Sequence, residues 1–155
     1  LRYLIVGCDC KWIVVDHLHM LVSSMTEGDE RRAIDNIMTR LRSLVEETGA
    51  GVILVSHLRR VQGDKGHENG VSVSLSHLRG SNAIAQLSDT VIALERNQQS
   101  EDELESRTTK LRVLKSRYTG DVGMATSLVY NKETGRLSEF VDDELLNNQH
   151  NSVPF

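Results

Sequence analysis

The chain has 155 residues, of which 39% are hydrophobic and 26% charged, so it can form one compact domain with its own core. Its formal net charge of -4 excludes a generally basic nucleic-acid-binding protein, and any contact with DNA must come from a local patch. No apolar run approaches the roughly 20 residues of a membrane span. The two cysteines, Cys8 and Cys10, are too close in sequence for an ordinary disulfide, which favours thiols in a reducing cytoplasm.

Three short apolar runs, each rich in β-branched residues, predict strands of a parallel sheet. They cover residues 12–16, 51–57 and 90–95. Because these runs do not alternate between polar and apolar residues, we expect strands that are buried on both faces. Between the first two runs, apolar residues at helical spacing predict an amphipathic helix over about residues 29–48, with Gly49 at its end. Strand, helix and strand in this order predict a right-handed crossover.

The second half of the chain predicts a loop, a short helix and an antiparallel end. Glycines interrupt any periodicity over residues 61–76, and a long loop inside a compact domain is usually functional. A short helix is expected at about residues 82–87. Strand-like runs at residues 109–118 and 124–130 flank a glycine-containing turn and predict a β-hairpin, with a last short strand near residues 136–140. The predicted fold class is therefore α/β, a mostly parallel sheet flanked by helices with an antiparallel hairpin at one edge.

We expect the domain to occupy residues 1–140. Residues 141–155 are acidic and then rich in Asn, which is typical of a flexible tail. The chain opens without Met, inside an apolar segment, and we expect it to be part of a longer polypeptide.

Asp16 and His57 each end one of the predicted strands. In open α/β sheets, ligands collect beyond the carboxyl ends of the strands. An acid in that place can hold Mg²⁺ through its water shell beside nucleotide phosphates, or it can cap the next segment or pair with a base. A histidine there can hydrogen-bond the last phosphate of a nucleotide, or it can be a core histidine whose ring is satisfied by backbone groups.

Three histidines, His17, His19 and His57, stand near these predicted strand ends. Imidazole is a common zinc ligand, so a metal cluster deserves consideration. The alternating positions of the first two, and the lack of a carboxylate or Cys partner at ligand spacing, count against it.

Two groups of cations are candidates for phosphate contacts. Arg59, Arg60 and Lys65 lie in or beside the predicted loop, where a sequence-tolerant contact with a DNA backbone competes with an ordinary solvated loop. Lys115 and Arg117 share one face of a predicted strand, because side chains alternate along a strand. They suit a clamp for phosphate oxygens, and the alternative is a solvated edge strand whose cations discourage aggregation.

Taken in order, these segments resemble the helicase part of the phage primase-helicase family, which includes mitochondrial Twinkle and is related to bacterial DnaB. Trp-Ile-Val-Val-Asp-His resembles the family's Walker B strand, and Val-Ser-His-Leu with the basic loop resembles its next strand and DNA-binding loop. The most specific stretch is Leu-Arg-Gly-Ser-Asn-Ala-Ile-Ala-Gln-Leu-Ser-Asp-Thr. The likeness covers roughly residues 13–137 and is carried by residues 12–17, 55–58, 78–90, 93–99, 115–121 and 130–135.

This resemblance implies the C-terminal part of a RecA-like motor domain in a hexameric ring. Such a ring hydrolyses nucleoside triphosphate between adjacent subunits and pulls single-stranded DNA through its centre. By this resemblance Asp16 positions Mg²⁺ and His57 senses the γ-phosphate of ATP or dTTP. Arg117, assisted by Lys115, is implied to be the arginine finger that reaches the nucleotide of the neighbouring subunit.

The resemblance also implies contacts with the base and with DNA. Arg96 and Tyr130 would sandwich the nucleotide base. The loop after His57 and the side chain of Gln86 would contact single-stranded DNA. Further copies of the chain, a primase and a DNA polymerase are the implied partners, with no membrane, in the cytoplasm of a bacterial or phage-infected cell.

The sequence departs from the family pattern at the phosphate-binding loop. No Gly-x-x-x-x-Gly-Lys-Ser/Thr occurs in the chain. The family carries this loop and its catalytic glutamate upstream of the Walker B strand, so both are expected before Leu1. We therefore expect the chain alone to be inactive and not to bind Mg²⁺ or nucleotide tightly.

Two other interpretations remain at this point. The first is a truncated, non-catalytic RecA-like remnant that acts as a binding or interaction module. An in-frame phosphate-binding loop in the upstream coding sequence would decide against it. The second, a RecA-like recombinase or clock ATPase, is disfavoured because residues 117–121 match the helicase pattern better.

Overall fold

Six strands and three α-helices follow one another in the computed structural model, which describes residues 1–24, 26–60, 66–80 and 82–140. The strands are β1 (Trp12–Val15), β2 (Gly51–Leu54), β3 (Thr90–Glu95), β4 (Thr108–Ser116), β5 (Gly123–Tyr130) and β6 (Leu137–Glu139). The α-helices are α1 (Glu27–Thr48), α2 (Asn82–Leu87) and α3 (Glu103–Arg107). A π-helical turn (Tyr3–Gly7) and two 3₁₀ helices (Leu18–Val22 and Leu75–His77) complete the described elements. No helix in these ranges is both long and apolar enough to cross a membrane.

The strands form two sheets, one parallel and one antiparallel. β1 and β2 pair in parallel, with Trp12 opposite Gly51 and Val15 opposite Leu54. The other four strands are antiparallel in the order β3-β4-β5-β6. The α/β class and the C-terminal hairpin are confirmed. The prediction of β3 as a third parallel strand is not met, because the hydrogen bonds of β3 in the described residues go to β4.

Burial alternates along the strands, so the prediction of strands buried on both faces is wrong for this chain. On β1, Ile13 is buried while Trp12 and Val14 are 71% and 65% exposed. Ile53 on β2 is 52% exposed. Successive side chains of a strand point to opposite faces. In the described residues one face of the parallel pair packs on the core and the other carries exposed apolar side chains.

Helix α1 packs an apolar stripe into the core beneath the parallel pair. Its apolar stripe buries Ile34, Met38 and Leu44, as the helical spacing predicts. Ile34 and Met38 join a cluster with Leu18, Val22, Leu78 and Ile84, whereas Leu44 packs with Ile5, Ile13 and Ala50. The helix ends at Gly49, whose φ of 69° is the left-handed conformation that glycine adopts without strain.

The segment between β2 and α2 is held against the antiparallel sheet by a buried acid. Glu95, 6% exposed at the end of β3, accepts a hydrogen bond of 2.7 Å from the backbone N–H of Val73. The same carboxylate accepts a hydrogen bond of 3.1 Å from Nε of Arg112 on β4. The described part of the predicted loop is therefore anchored at Val73, and a backbone hydrogen bond of 2.9 Å from Gln98 N–H to Glu68 O anchors it a second time. Residues 61–65 of that loop and the predicted tail, residues 141–155, lie outside the described residues.

The short helix α3 was not predicted from the sequence. The carboxylate of Asp102 accepts hydrogen bonds from the backbone N–H groups of Leu104 and Glu105, at 2.7 and 3.2 Å. Asp102 is therefore the N-cap of α3. One carboxylate of this acidic segment therefore has a local structural role.

Candidate functional site

Asp16 and His57 lie beyond the carboxyl ends of the two parallel strands, as predicted. Backbone hydrogen bonds continue the pairing past β1 and β2, from Val55 N–H to Val15 O at 2.9 Å and from Leu18 N–H to Val55 O at 3.0 Å. This pairing holds the residues after both strands side by side. Asp16 is exposed and has no hydrogen bond or ion pair to any residue that the structure describes. In the described residues it neither caps the following 3₁₀ helix nor pairs with a base.

His57 belongs to a cluster of three imidazole rings beside Asp16. Its ring centroid lies 3.9 Å from that of His17, with an interplanar angle of 36°. Its ring is stacked on that of His19, with centroids 5.3 Å apart and an interplanar angle of 8°. His57 is exposed, whereas His19 is buried. The alternative of a core histidine therefore applies to His19 and not to His57.

His19 is fixed by backbone groups on two sides. Its Nε2 lies 3.1 Å from the carbonyl oxygen of Arg79, so Nε2 carries the proton and donates. Its Nδ1 accepts from the backbone N–H of His57 at 3.5 Å. Burial lowers the pKa of His19, which favours the neutral ring. Gly80 (φ 101°) allows this close approach, because a side chain there would collide with Ile34.

The three histidines meet the distance requirement of a metal site, contrary to the sequence interpretation. One nitrogen from each of His17, His19 and His57 lies within 4.8 Å of one from each of the others. Nδ1 of His17 is buried and has no hydrogen-bond partner among the described residues. The sequence interpretation counted the alternating positions of His17 and His19 and the lack of a carboxylate or Cys partner against the cluster. Parallel pairing of β1 and β2 brings the ring of His57 beside the other two.

Lys115 and Arg117 are bound at the C-terminal end of α2. Nζ of Lys115 donates to the carbonyl oxygens of Ala85, Gln86 and Ser88 at 2.7, 3.1 and 2.8 Å. Burial, followed by the charge of Arg117, lowers the pKa of Lys115. Arg117 donates to the carbonyl oxygen of Gln86 at 2.9 Å and pairs with Asp89 at 3.3 Å. The alternative of an edge strand is wrong, because β4 lies between β3 and β5.

Asp89 is shared between two arginines and was not singled out in the sequence. NH1 of Arg42 on α1 donates to both of its carboxylate oxygens, at 2.8 and 2.9 Å. Hydrogen bonds from Arg42 to Glu46 and then to Asp89 raise the pKa of Arg42. Asp89 therefore joins α1 to the strand that carries Arg117. The position of Asp89 directly before a strand was a signal, because an acid there is a candidate partner for nearby cations. Its partners could not be identified, because Arg42 and Arg117 are 47 and 28 residues away along the chain.

Arg96 and Tyr130 lie at the same end of the antiparallel sheet. Leu94 on β3 pairs with Leu111 on β4, which in turn pairs with Thr126 on β5, so these three side chains share one face. Arg96 comes two residues after Leu94 and Tyr130 four residues after Thr126, and an even spacing along a strand keeps the same face. This register puts Arg96 and Tyr130 on one face, with β4 between them. Arg96 lines a cavity of about 350 Å³ together with Glu95, Lys110 and Phe140. Tyr130 is 36% exposed and does not line this cavity.

The predicted DNA-contacting residues are dispersed over the described surface. Arg60 and the side chain of Gln86 are exposed. Arg59 is also exposed, but its Nε donates to the carbonyl oxygen of Leu78 at 3.0 Å. This bond ties the start of the loop to the segment before α2. Lys65 lies outside the described residues.

Comparisons with known proteins identify the family to which this chain is similar. The family model of the DnaB-like helicase C-terminal domain matches residues 2–139. The DNA helicase/primase of Enterobacteria phage T3 is 45% identical over 137 residues, which is 88% of this chain and 24% of that protein. The solved structure of a DnaB-like replicative helicase, described with its interactions with primase, is similar with a TM-score of 0.56 and 26% identity. That match covers 72% of this chain and 26% of the solved one.

The chain thus spans about a quarter of the length of each of these two relatives. The family match nevertheless covers nearly all of the chain, including both parallel strands and the antiparallel sheet. The chain belongs to the DnaB-like helicase C-terminal domain family.

Proposed function

We propose that this chain is the C-terminal portion of the motor of a ring-shaped replicative DNA helicase, which hydrolyses nucleoside triphosphate and translocates on single-stranded DNA. The observation that carries the proposal is the position of Asp16 and His57 beyond the ends of two paired parallel strands. Phosphates and their cations collect at this edge in α/β folds. Membership of the helicase family supports the same conclusion.

In this proposal Asp16 holds Mg²⁺ through its water shell, next to ATP or dTTP. Its surroundings fit this role, because the carboxylate is exposed and has no protein partner in the described residues. Magnesium keeps several of its waters in protein sites and needs few carboxylates. The bound ion would supply charge neutralisation at the phosphates.

His57 then contacts the γ-phosphate from the neighbouring strand end. Its exposed ring is free to donate a hydrogen bond outward, while its backbone N–H is held by His19. The segment that follows includes Arg59 and Arg60, so the state of the nucleotide is coupled to a basic loop that contacts single-stranded DNA. Lys65 and Gln86 would add contacts to the DNA backbone.

Arg117 is the proposed arginine finger for the adjacent subunit of a hexamer. Its side chain is 40% exposed and held by one carboxylate and one carbonyl oxygen. It can therefore leave Asp89, which keeps Arg42 as a partner. Lys115 is held by two carbonyl oxygens of α2 and by that of Ser88 just after it, so it assists by fixing the end of β4 from which Arg117 follows.

Arg96 and Tyr130 are proposed to hold the nucleotide base. Their common face and common end of the sheet support this pair. The guanidinium plane would stack on one side of the base and the phenol ring on the other. Because the solved relative is described with primase, a primase is a proposed partner of the whole protein. The family resemblance of the sequence adds a DNA polymerase as a second proposed partner.

Replacing Arg117 in the whole protein tests the motor assignment. We expect Arg117→Ala to lower DNA-stimulated hydrolysis by about 10³-fold or more, because a finger stabilises charge on the transferred phosphoryl group. Nucleotide binding, measured by equilibrium titration, should change little. The matched control is Arg136→Ala in the turn before β6, which should keep hydrolysis within about twofold of the starting protein.

Hydrolysis at a normal rate in Arg117→Ala would remove the finger assignment. The chain of 155 residues, assayed by itself with ATP and with dTTP, should show negligible turnover because it contains no phosphate-binding loop sequence. Turnover equal to that of the whole protein would refute this expectation. An inactive whole protein that still binds single-stranded DNA would favour a non-catalytic binding module instead.

A further inference from the structure

The structure assigns a second metal site to this chain: we propose that His17, His19 and His57 bind one transition-metal ion of the Zn²⁺ class. The site consists of three imidazoles that lie within 4.8 Å of one another through one nitrogen each. Its ligands differ in kind from the carboxylate proposed for Mg²⁺, because magnesium prefers oxygen ligands and imidazole favours zinc, copper and nickel.

The protonation of His19 is already that of a metal ligand. A metal-binding histidine usually donates its other ring N–H to a carboxylate or a backbone carbonyl, which fixes the tautomer and the ring orientation. His19 does this through Nε2 and the carbonyl oxygen of Arg79 at 3.1 Å, so the lone pair is on Nδ1. That lone pair accepts a long hydrogen bond of 3.5 Å from the backbone N–H of His57, which a metal ion would replace.

His17 contributes a ring nitrogen without another role. Its Nδ1 is buried, and no described residue makes a hydrogen bond to it. Buried polar atoms in proteins are almost always satisfied, so such an atom calls for an explanation. A metal ion beside the three rings supplies the missing partner.

His57 closes the site from the solvent side. Its ring contacts both of the others, with centroids 3.9 Å from His17 and 5.3 Å from His19. Zinc bonds to nitrogen of about 2.0–2.1 Å place tetrahedral ligand atoms roughly 3.4 Å apart. Small ring rotations therefore complete the coordination, and His57, being exposed, has the freedom to make them. Three protein ligands leave the fourth position open to water.

The position of the site gives it a consequence for the proposed motor. A metal ion bound by the ring of His57 would prevent that ring from contacting the γ-phosphate, so zinc would inhibit hydrolysis. This consequence rests on the proposed function, whereas metal binding by the three rings does not. Binding is therefore measured on the chain itself, without nucleotide.

The experiment measures Zn²⁺ affinity by competition with a chromophoric chelator, in a background without other strong ligands. The chain has six histidines and two cysteines, so Cys8→Ser, Cys10→Ser and His150→Gln are introduced throughout. We expect one Zn²⁺ per chain, not displaced by a large excess of Mg²⁺. His17→Gln, His19→Gln and His57→Gln should each weaken binding by about 100-fold or more, since changes in outer-shell partners alone cost 10–100-fold.

The matched control uses the other described pair of neighbouring histidines, His67 and His77, whose ring centroids are 5.2 Å apart. Replacing both by Gln should change Zn²⁺ affinity by less than about threefold. Circular dichroism checks that each variant is folded. If the buried His19→Gln variant unfolds, the His17 and His57 variants decide the result. Unchanged Zn²⁺ affinity in the His17, His19 and His57 variants would overturn the proposed site. Loss of Zn²⁺ affinity when His67 and His77 are replaced would overturn it as well.

Discussion

The two sheets of the molecule are stabilised by different forces. Around β1, β2 and α1, apolar side chains are buried, and Leu18 and Ile34 have no exposed area. In the antiparallel sheet no residue of β4, β5 or β6 is fully buried, and β3 buries Ala93 and Glu95. That sheet is held to the rest by polar contacts from Glu95, Lys115 and Arg117. The comparison indicates that the first sheet depends on the hydrophobic effect and the second on hydrogen bonds and ion pairs.

The largest effect is expected from a cavity in the apolar half. Ile34→Ala should lower the free energy of unfolding by about 4 kcal/mol, because a fully buried aliphatic side chain loses its contacts and leaves a void. Chemical denaturation followed by circular dichroism measures this change. Ile92→Ala on β3 is the control, since its side chain is 53% exposed, and it should cost less than about 1 kcal/mol. Equal losses would show that the two halves do not differ as described.

An intermediate effect is expected from the buried acid of the antiparallel half. Glu95→Ala should cost about 3 kcal/mol, because it leaves the charge of Arg112 and the N–H of Val73 without their partner. The same denaturation experiment measures it. Glu103→Ala removes an exposed carboxylate near Lys132 and should cost less than about 0.5 kcal/mol. If the two glutamates prove equivalent, Glu95 does not anchor the segment between β2 and α2.

The smallest effect is expected at Lys115. Lys115→Met should lower the free energy of unfolding by about 1 kcal/mol, because three carbonyl oxygens at the end of α2 lose a charged donor but remain near solvent. Lys110→Met, at an exposed position of the same strand, serves as the control and should be close to neutral. An unchanged stability in Lys115→Met would mean that the carbonyl contacts contribute little, and that Lys115 is free to approach a phosphate.

Elements with strong local signals were predictable from the sequence. The 3.6-residue spacing of Ile34, Met38 and Leu44 predicted α1, and Gly49 predicted its end. The short helix α2 and strand β3 were predicted with the bounds that the structure gives. The missed helix α3 also had a local signal, because Asp102 is followed three residues later by Glu105, a typical start.

Features that depend on distant residues could not be read from the sequence. The partners of Lys115 are backbone carbonyls about 30 residues away, and every residue has such a group. The three imidazoles meet because β1 and β2 pair, so spacing along the chain says nothing of their distance. The site predictions for Asp16 and His57 relied on a general rule for strand ends. That rule anticipates their position beyond the paired strands, but not their exposure.

One feature of the exposed sheet face makes the molecule easy to follow in solution. Trp12, the single tryptophan of the chain, lies on that face with its ring over Gly51, where a larger residue would not fit. Its indole is 71% exposed, so the fluorescence of the chain should have the long-wavelength maximum of a solvated indole. Any protein surface that covers this face will shift the emission to shorter wavelength. The chain therefore contains its own optical reporter for the contacts of the parallel strands.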